Sequence, residues 1–217
     1  MISLALNGGS SRALNVLCLG CHSDDIEIGC GGTILRLAEQ YPRSTFHWVV
    51  LSAIGVRKAE AQRAARMFVD SGNLRGLLLK GFRDGFMPFA GAEVKDVFEE
   101  LKEKISPDVI FTHSRKDVHQ DHRLVAELTW NTFRNHFILE YEIPKYDGDL
   151  GQPNVFVPLS AQTCRKKVRY IMKAFQSQHA KAWFRQETFL SMMRLRGMEC
   201  NSPSDYAEAF YCRKLVL

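Results

Sequence analysis

Residues 18–35 read CLGCHSDDIEIGCGGTIL. An apolar run from Asn15 to Gly20 delivers His22, Asp24 and Asp25 to one loop, and Gly29, Gly31 and Gly32 then open a segment with apolar residues at helical spacing. The stretch therefore predicts a strand, a polar loop and a helix. A buried strand that ends in two adjacent carboxylates and a histidine gathers groups that are costly to desolvate. A fold tolerates that where a cation or a ligand compensates them. The loop reads as half of a metal site.

The other half falls about a hundred residues on, in Asp117–Arg123, DVHQDHR. This segment follows a second apolar run, Asp108 to Thr112, and leads into the helical pattern Leu124, Val125, Leu128. Catalytic zinc usually takes three protein ligands from His, Asp or Glu and keeps a position for water. His22, Asp25 and His122 would supply that set, with Asp24 and His119 left over for proton transfer.

Outward from these two loops the chain alternates. Strands are expected at Asn15–Gly20, Phe46–Ser52, Gly76–Leu79 and Val109–Thr112, and helices at Gly31–Glu39, Arg57–Val69, Ala92–Ile105 and His122–Phe133. Strands separated by helices of about 10 to 15 residues imply βαβ crossovers. The expected fold is α/β and Rossmann-like: three layers, a mainly parallel sheet with helices on both faces. Ligands of such sheets bind beyond the carboxyl ends of the strands, where both polar loops fall. The last third is less regular. Tyr141–Pro158, with three prolines and two glycines, reads as an extended loop or short strand excursion, followed by helices Ala161–Gln176 and Trp183–Arg196 and a strand Ala207–Cys212. Residues 1–12 read as a short polar tail.

Composition narrows the class. At 217 residues and 46% hydrophobic the chain suits one domain over 1–217, since a split would leave two small cores. A net charge of +5 spread along the chain argues against a nucleic-acid partner. The one basic cluster, CRKKVR around Arg165–Arg169, reads as a solvated helix face rather than a phosphate site. Six cysteines include one C-x-x-C, Cys18 and Cys21, with no second pair. They read as small apolar fillers in a reducing compartment. No run approaches the ~20 apolar residues of a membrane span, so a soluble, cytoplasmic protein is expected.

Together, His-x-Asp-Asp followed by Gly-Cys-Gly-Gly-Thr and the later His-x-Asp-His make the chain resemble the PIG-L (LmbE-like) N-deacetylases, metal-dependent hydrolases of N-acetylglucosaminyl compounds. The resemblance covers most of the chain. It implies His22, Asp25 and His122 as metal ligands, Asp24 as general base and His119 as the residue that assists the tetrahedral intermediate. Arg57, in an R-x-x-E with Glu60, and Asp84, within FRDGFM, look like the family's substrate-facing Arg and Asp. FQSQH at 175–179 and YAEAF at 206–210 also look like family segments, with no chemistry assigned. Ser23 and Gln120 stand where the family commonly has proline, which touches loop rigidity rather than ligands. The implied cofactor is Zn2+, with Fe2+ or another divalent metal as the alternative. The implied partner is a small-molecule N-acetylated sugar conjugate, and a homo-oligomer is compatible with the chain.

Each feature taken singly has a blander account. An Asp-Asp pair is often a helix cap with a solvated neighbour, and Gly29-Cys30-Gly31-Gly32 could be a phosphate-cradling turn. A nucleotide-binding Rossmann-like domain is thus one rival, although the G-x-G-x-x-G fingerprint is lacking. An amidase of the same fold acting on a different conjugate is the other. His47, His113, His136 and His179 have no such partners in the sequence, and core or surface is their default, with a supporting role left open for His113.

Overall fold

The computed structural model describes residues 13–216, so the tail expected at 1–12 lies outside the described residues. Seven strands form one sheet in the order β3-β2-β1-β4-β5-β7-β6. They are β1 Asn15–His22, β2 Thr45–Ser52, β3 Leu74–Leu79, β4 Val109–His113, β5 Phe137–Tyr141, β6 Val155–Pro158 and β7 Ala207–Tyr211. The first five in sequence run parallel, and β7 pairs antiparallel with both β5 and β6.

Along β1 the side chains alternate between two cores, as period-two geometry requires. Val16 and Cys18 join a cluster with residues of α1 (Asp25–Gln40), α2 (Val56–Phe68), α5 (Ala161–Ala174) and α6 (Gln186–Glu199). Leu17, Leu19 and Cys21 face the other way, against α3 (Gly91–Lys104) and α4 (Gln120–Thr132). The expected three-layer α/β architecture is the one observed. The strand order reverses between β1 and β4, the place where doubly wound sheets bind ligands.

Several boundaries differ from the sequence expectation. The first helix begins at Asp25, six residues before Gly31, so the glycine stretch is helix interior rather than loop. Glycine costs about 1 kcal/mol against alanine in a helix, and tertiary contact explains its use. A Cβ at Gly29 would stand 2.5 Å from Tyr141 Cγ, and one at Gly31 2.5 Å from Phe68 Cε1. The phosphate-cradle account fails on the same ground. Strand β5 has no counterpart among the strands expected from sequence, Tyr141–Pro158 divides into the end of β5, a loop and β6, and α6 starts three residues after Trp183.

The basic cluster at 165–169 is a solvated face only in part. Arg165, Lys166 and Arg169 are exposed, but Lys167 is buried, donating to Glu208 Oε1 and to the Ile28 carbonyl, each at 2.6 Å. Glu208 in turn accepts from the Gly32 and Thr33 amides at 2.8 and 2.6 Å. A buried ion pair thus engages the backbone of α1 at its glycines.

Candidate metal centre

His22 is the last residue of β1, Asp24 the N-cap of α1 and Asp25 its first residue; His119 is the N-cap of α4 and His122 lies in its first turn. The two halves foreseen in the sequence meet. His22 Nδ1 and His122 Nε2 stand 3.0 Å apart, and Asp25 Oδ2 lies 3.5 Å from the first and 3.7 Å from the second. A point equidistant from three such atoms is about 2.0 Å from each, the length of a zinc bond to imidazole or carboxylate.

The outer ring nitrogens decide which atoms face inward. His122 Nδ1 is 2.9 Å from Asp117 Oδ2, and His22 Nε2 is 3.0 Å from Asp84 Oδ1 and 3.6 Å from Asp121 Oδ2. Ionised carboxylates only accept, so both outer nitrogens carry a proton, and in the neutral rings the inner ones are left to present lone pairs. Two lone pairs 3.0 Å apart beside a carboxylate call for a cation. The surroundings favour positive charge at this point, on the ring itself where no cation is bound: burial works against charge on His22, yet Cys21, Asp25 and Asp121 outweigh it and raise its pKa well above that of an ordinary imidazole. Cys21 lies close enough to join the donor set, although burial pushes its thiol up to about 12.

The paired carboxyls are driven apart. Burial would raise Asp25, but His122, His113 and His22 hold it well below the usual range; burial raises Asp24 despite Arg57 beside it. Asp24 Oδ1 accepts from Arg57 at 2.7 Å, while its buried Oδ2 has no hydrogen-bond partner among the described residues. Asp24 occupies the cap position without a capping bond and is not solvated, contrary to the bland account of an Asp-Asp pair. His119 Nδ1 accepts from the Asp121 amide at 3.3 Å, which leaves Nε2 as the protonated nitrogen of the neutral ring. Burial and the charges of His122 and His22 lower its pKa.

Arg57 and Asp84 sit at the centre, though each already touches a member of it. Glu60, the partner of Arg57 in the motif, is buried and accepts from the Ser177 amide and hydroxyl at 2.9 and 2.6 Å, tying FQSQH to α2. Three residues without an assigned role in the sequence belong to the site. His113, defaulted to core or surface, is fully buried with Nε2 3.1 Å from Asp25 Oδ2, its ring stacked on His122 at 4.0 Å. Asp117 orients His122, and Asp121 accepts from the Gly85 amide at 2.6 Å, fixing the Asp84 loop. For Asp117 and Asp121 the available signal was their place within the second motif.

Comparison with known proteins gives a family and a fold. The family model described as PIG-L, GlcNAc-PI de-N-acetylase, matches residues 17–133. Among solved structures the chain is similar to N,N'-diacetylchitobiose deacetylase from Pyrococcus horikoshii, with 21% identity and a TM-score of 0.73 over 93% of this chain and 84% of that one. A conserved protein from Thermus thermophilus shares 23% identity and a TM-score of 0.73 over 94% and 96% of the two chains. The 4-carboxy-2-hydroxymuconate hydratase of Pseudomonas putida KT2440 shares 18% and a TM-score of 0.68 over 94% and 98%. These likenesses show the fold, which serves more than one chemistry.

Proposed function

The chain belongs to the PIG-L family, and from that membership and the geometry of the centre we propose that it is a metal-dependent N-deacetylase acting on the N-acetyl amide of a GlcNAc-containing sugar conjugate. The observation that carries the proposal is the facing pair of ring nitrogens, His22 Nδ1 and His122 Nε2, closed into a triangle by Asp25. Zinc suits that donor set, and ferrous iron is the alternative occupant, since imidazole and carboxylate serve both. When bound, such an ion would polarise the amide carbonyl and lower the pKa of a water molecule from about 16 toward 7.

The remaining steps fall to side chains. Asp24, outside the ligand set, takes the proton of the attacking water on Oδ2, the oxygen that Arg57 does not occupy. Its raised pKa suits a group that must accept a proton and return it to the departing amine. His119 donates from Nε2 to the developing oxyanion as a neutral imidazole; the Asp121 amide on Nδ1 supports that tautomer over a cationic acid. Asp84, held by His22 yet exposed, offers an acceptor to sugar hydroxyls, and Arg57 positions Asp24. The six free thiols support a reducing, cytoplasmic setting. No helix among the described residues is long and apolar enough to cross a membrane.

The test is amine and acetate release from a panel of GlcNAc conjugates by metal-loaded enzyme, against the same enzyme stripped by chelator. Release that depends on added zinc or iron is expected. Metal-independent release, or no release from any N-acetylated sugar while larger amides are cleaved, would overturn the assignment.

A further inference from the structure

Around the exposed Asp84, the loops that frame the centre carry exposed apolar side chains that neither folding nor the proposed chemistry uses. Ile54 and Val56, on the β2–α2 loop, are 57% and 63% exposed; Phe86 and Phe89, after β3, are 43% and 82%; Val118, beside His119, is 51%. Scattered apolar residues on a surface are ordinary, whereas a contiguous set marks a binding surface. Hydrogen bonds stitch these three loops into one rim. The Ala53 amide donates to the Lys80 carbonyl at 2.9 Å, the Phe82 amide to that of Leu51 at 3.0 Å, the Gly85 amide to Asp121 at 2.6 Å, and the Gln120 amide group to the Gly85 carbonyl.

The rim continues directly into the catalytic residues. Val56 precedes Arg57, which holds Asp24; Phe86 follows Asp84, which holds His22, by two positions. Met87, between the two phenylalanines, donates its amide to Asp121 and sits 3.5 Å from Cys21 Sγ. Phe86 and Phe89 lie 6.0 Å apart, and the Arg83 guanidinium packs 3.5 Å from the Phe86 centroid, covering one face of that ring while Phe89 stays open.

We propose that this rim is a shelf for the aglycone, and that the preferred substrate carries an extended alkyl or aryl group on its GlcNAc rather than a second sugar or a hydroxyl. The proposal rests on the deacetylase reading above. When the N-acetyl group is at the centre and the sugar lies against Asp84, the rest of the conjugate must leave past the exposed side chains that flank it in sequence and space, and those are hydrocarbon.

Two measurements separate the shelf from the chemistry. Binding of the methyl, hexyl and octyl glucosaminides, the amine products, is followed by calorimetry below their micelle concentrations. Acetate release is followed with the N-acetylated forms and with N,N'-diacetylchitobiose. Affinity is expected to rise about twofold per methylene, below the ~4-fold of full burial because the shelf stays half open to water, and kcat/KM should follow the same order. In Phe89→Ser, and separately in Val56→Ser, the octyl-to-methyl ratio of both quantities should fall at least fivefold. A flat affinity series, or a ratio unchanged in both variants, would overturn the shelf and leave the deacetylase standing. Steep binding without acetate release would uphold the shelf and overturn the deacetylase. Binding to phosphatidylcholine vesicles free of saccharide, lost in Phe89→Ser, would assign the rim to a bilayer and overturn the aglycone assignment.

Discussion

Asp24 and Asp25 are neighbours in sequence whose surroundings push them in opposite directions, the usual way a site divides a base from a ligand. His22→Ala, Asp25→Ala and His122→Ala should therefore lose bound metal after dialysis, whereas Asp24→Asn keeps it and loses about 10²–10⁴-fold in kcat. Metal analysis beside kinetics checks this, and equal metal loss in all four would show the pair wrongly divided. Spacing was enough to single out the candidate ligands that the structure brings together, because two motifs at strand ends each held part of a set. It was not enough for His113, whose role comes from stacking on His122 across the sheet edge, a contact that no local pattern encodes. The buried thiols carry a different expectation. Burial raises Cys164 to about 11 and Cys21 to about 12, above the ordinary thiol range. The unfolded chain therefore binds fewer protons than the native one above pH ~9. Stability contributed by these thiols is full below that pH and falls as pH climbs toward the folded values. Urea unfolding at pH 8 and pH 10 measures it; Cys164→Ala should flatten the decline, and an unchanged slope in that variant would remove Cys164 as a cause.

Helix α1 shows why an element can be read correctly in kind and wrongly in extent. Helical spacing announced it, but three glycines within four residues argued for a loop, and it takes Tyr141, Phe68, Leu159 and Glu208 pressing on those positions to explain their presence inside a helix. Intrinsic propensity would favour alanine at Gly29 by about 1 kcal/mol. The added methyl would strike the Tyr141 ring, which cannot swing away because its hydroxyl is fully buried and bonded to the Leu19 carbonyl at 2.7 Å. Overpacking should win, so Gly29→Ala should lower stability by about 1–3 kcal/mol. Gly91, the first residue of α3, has helical φ and no atom within 4 Å of the place a methyl would take. Gly91→Ala should be neutral or stabilise by up to about 1 kcal/mol. Denaturant midpoints of the two variants decide the matter, and a stabilised Gly29→Ala would mean that the tyrosine contact is slack.

Across the whole molecule, the alternating first two thirds made the parallel sheet and the site at its strand ends readable from sequence. The closing third was legible in part: α5, α6 and β7 fall close to where sequence placed them, whereas β5, paired parallel with β4, was missed and Tyr141–Pro158 did not reveal β6, a short strand that pairs antiparallel with β7 from far along the chain. That third nonetheless reaches back to the centre. Lys167 of α5 and Glu208 of β7 form a buried ion pair whose members also bond the Ile28 carbonyl and the Gly32 and Thr33 amides of α1, the helix that begins with Asp25. Removing one partner leaves a desolvated charge and unmet backbone groups, a loss of about 3–5 kcal/mol, whereas removing both with apolar replacements costs much less than the sum. Lys167→Met and Glu208→Leu should each be strongly destabilising and the double variant only mildly so, in a cycle measured by urea unfolding. Because α1 positions Asp25, the single variants should also release zinc at lower chelator concentration than wild type, with the double variant partly restored. Additive losses in stability would show that the two side chains act independently. Unchanged zinc retention in folded single variants would show that the closing third supports the fold without steadying the centre.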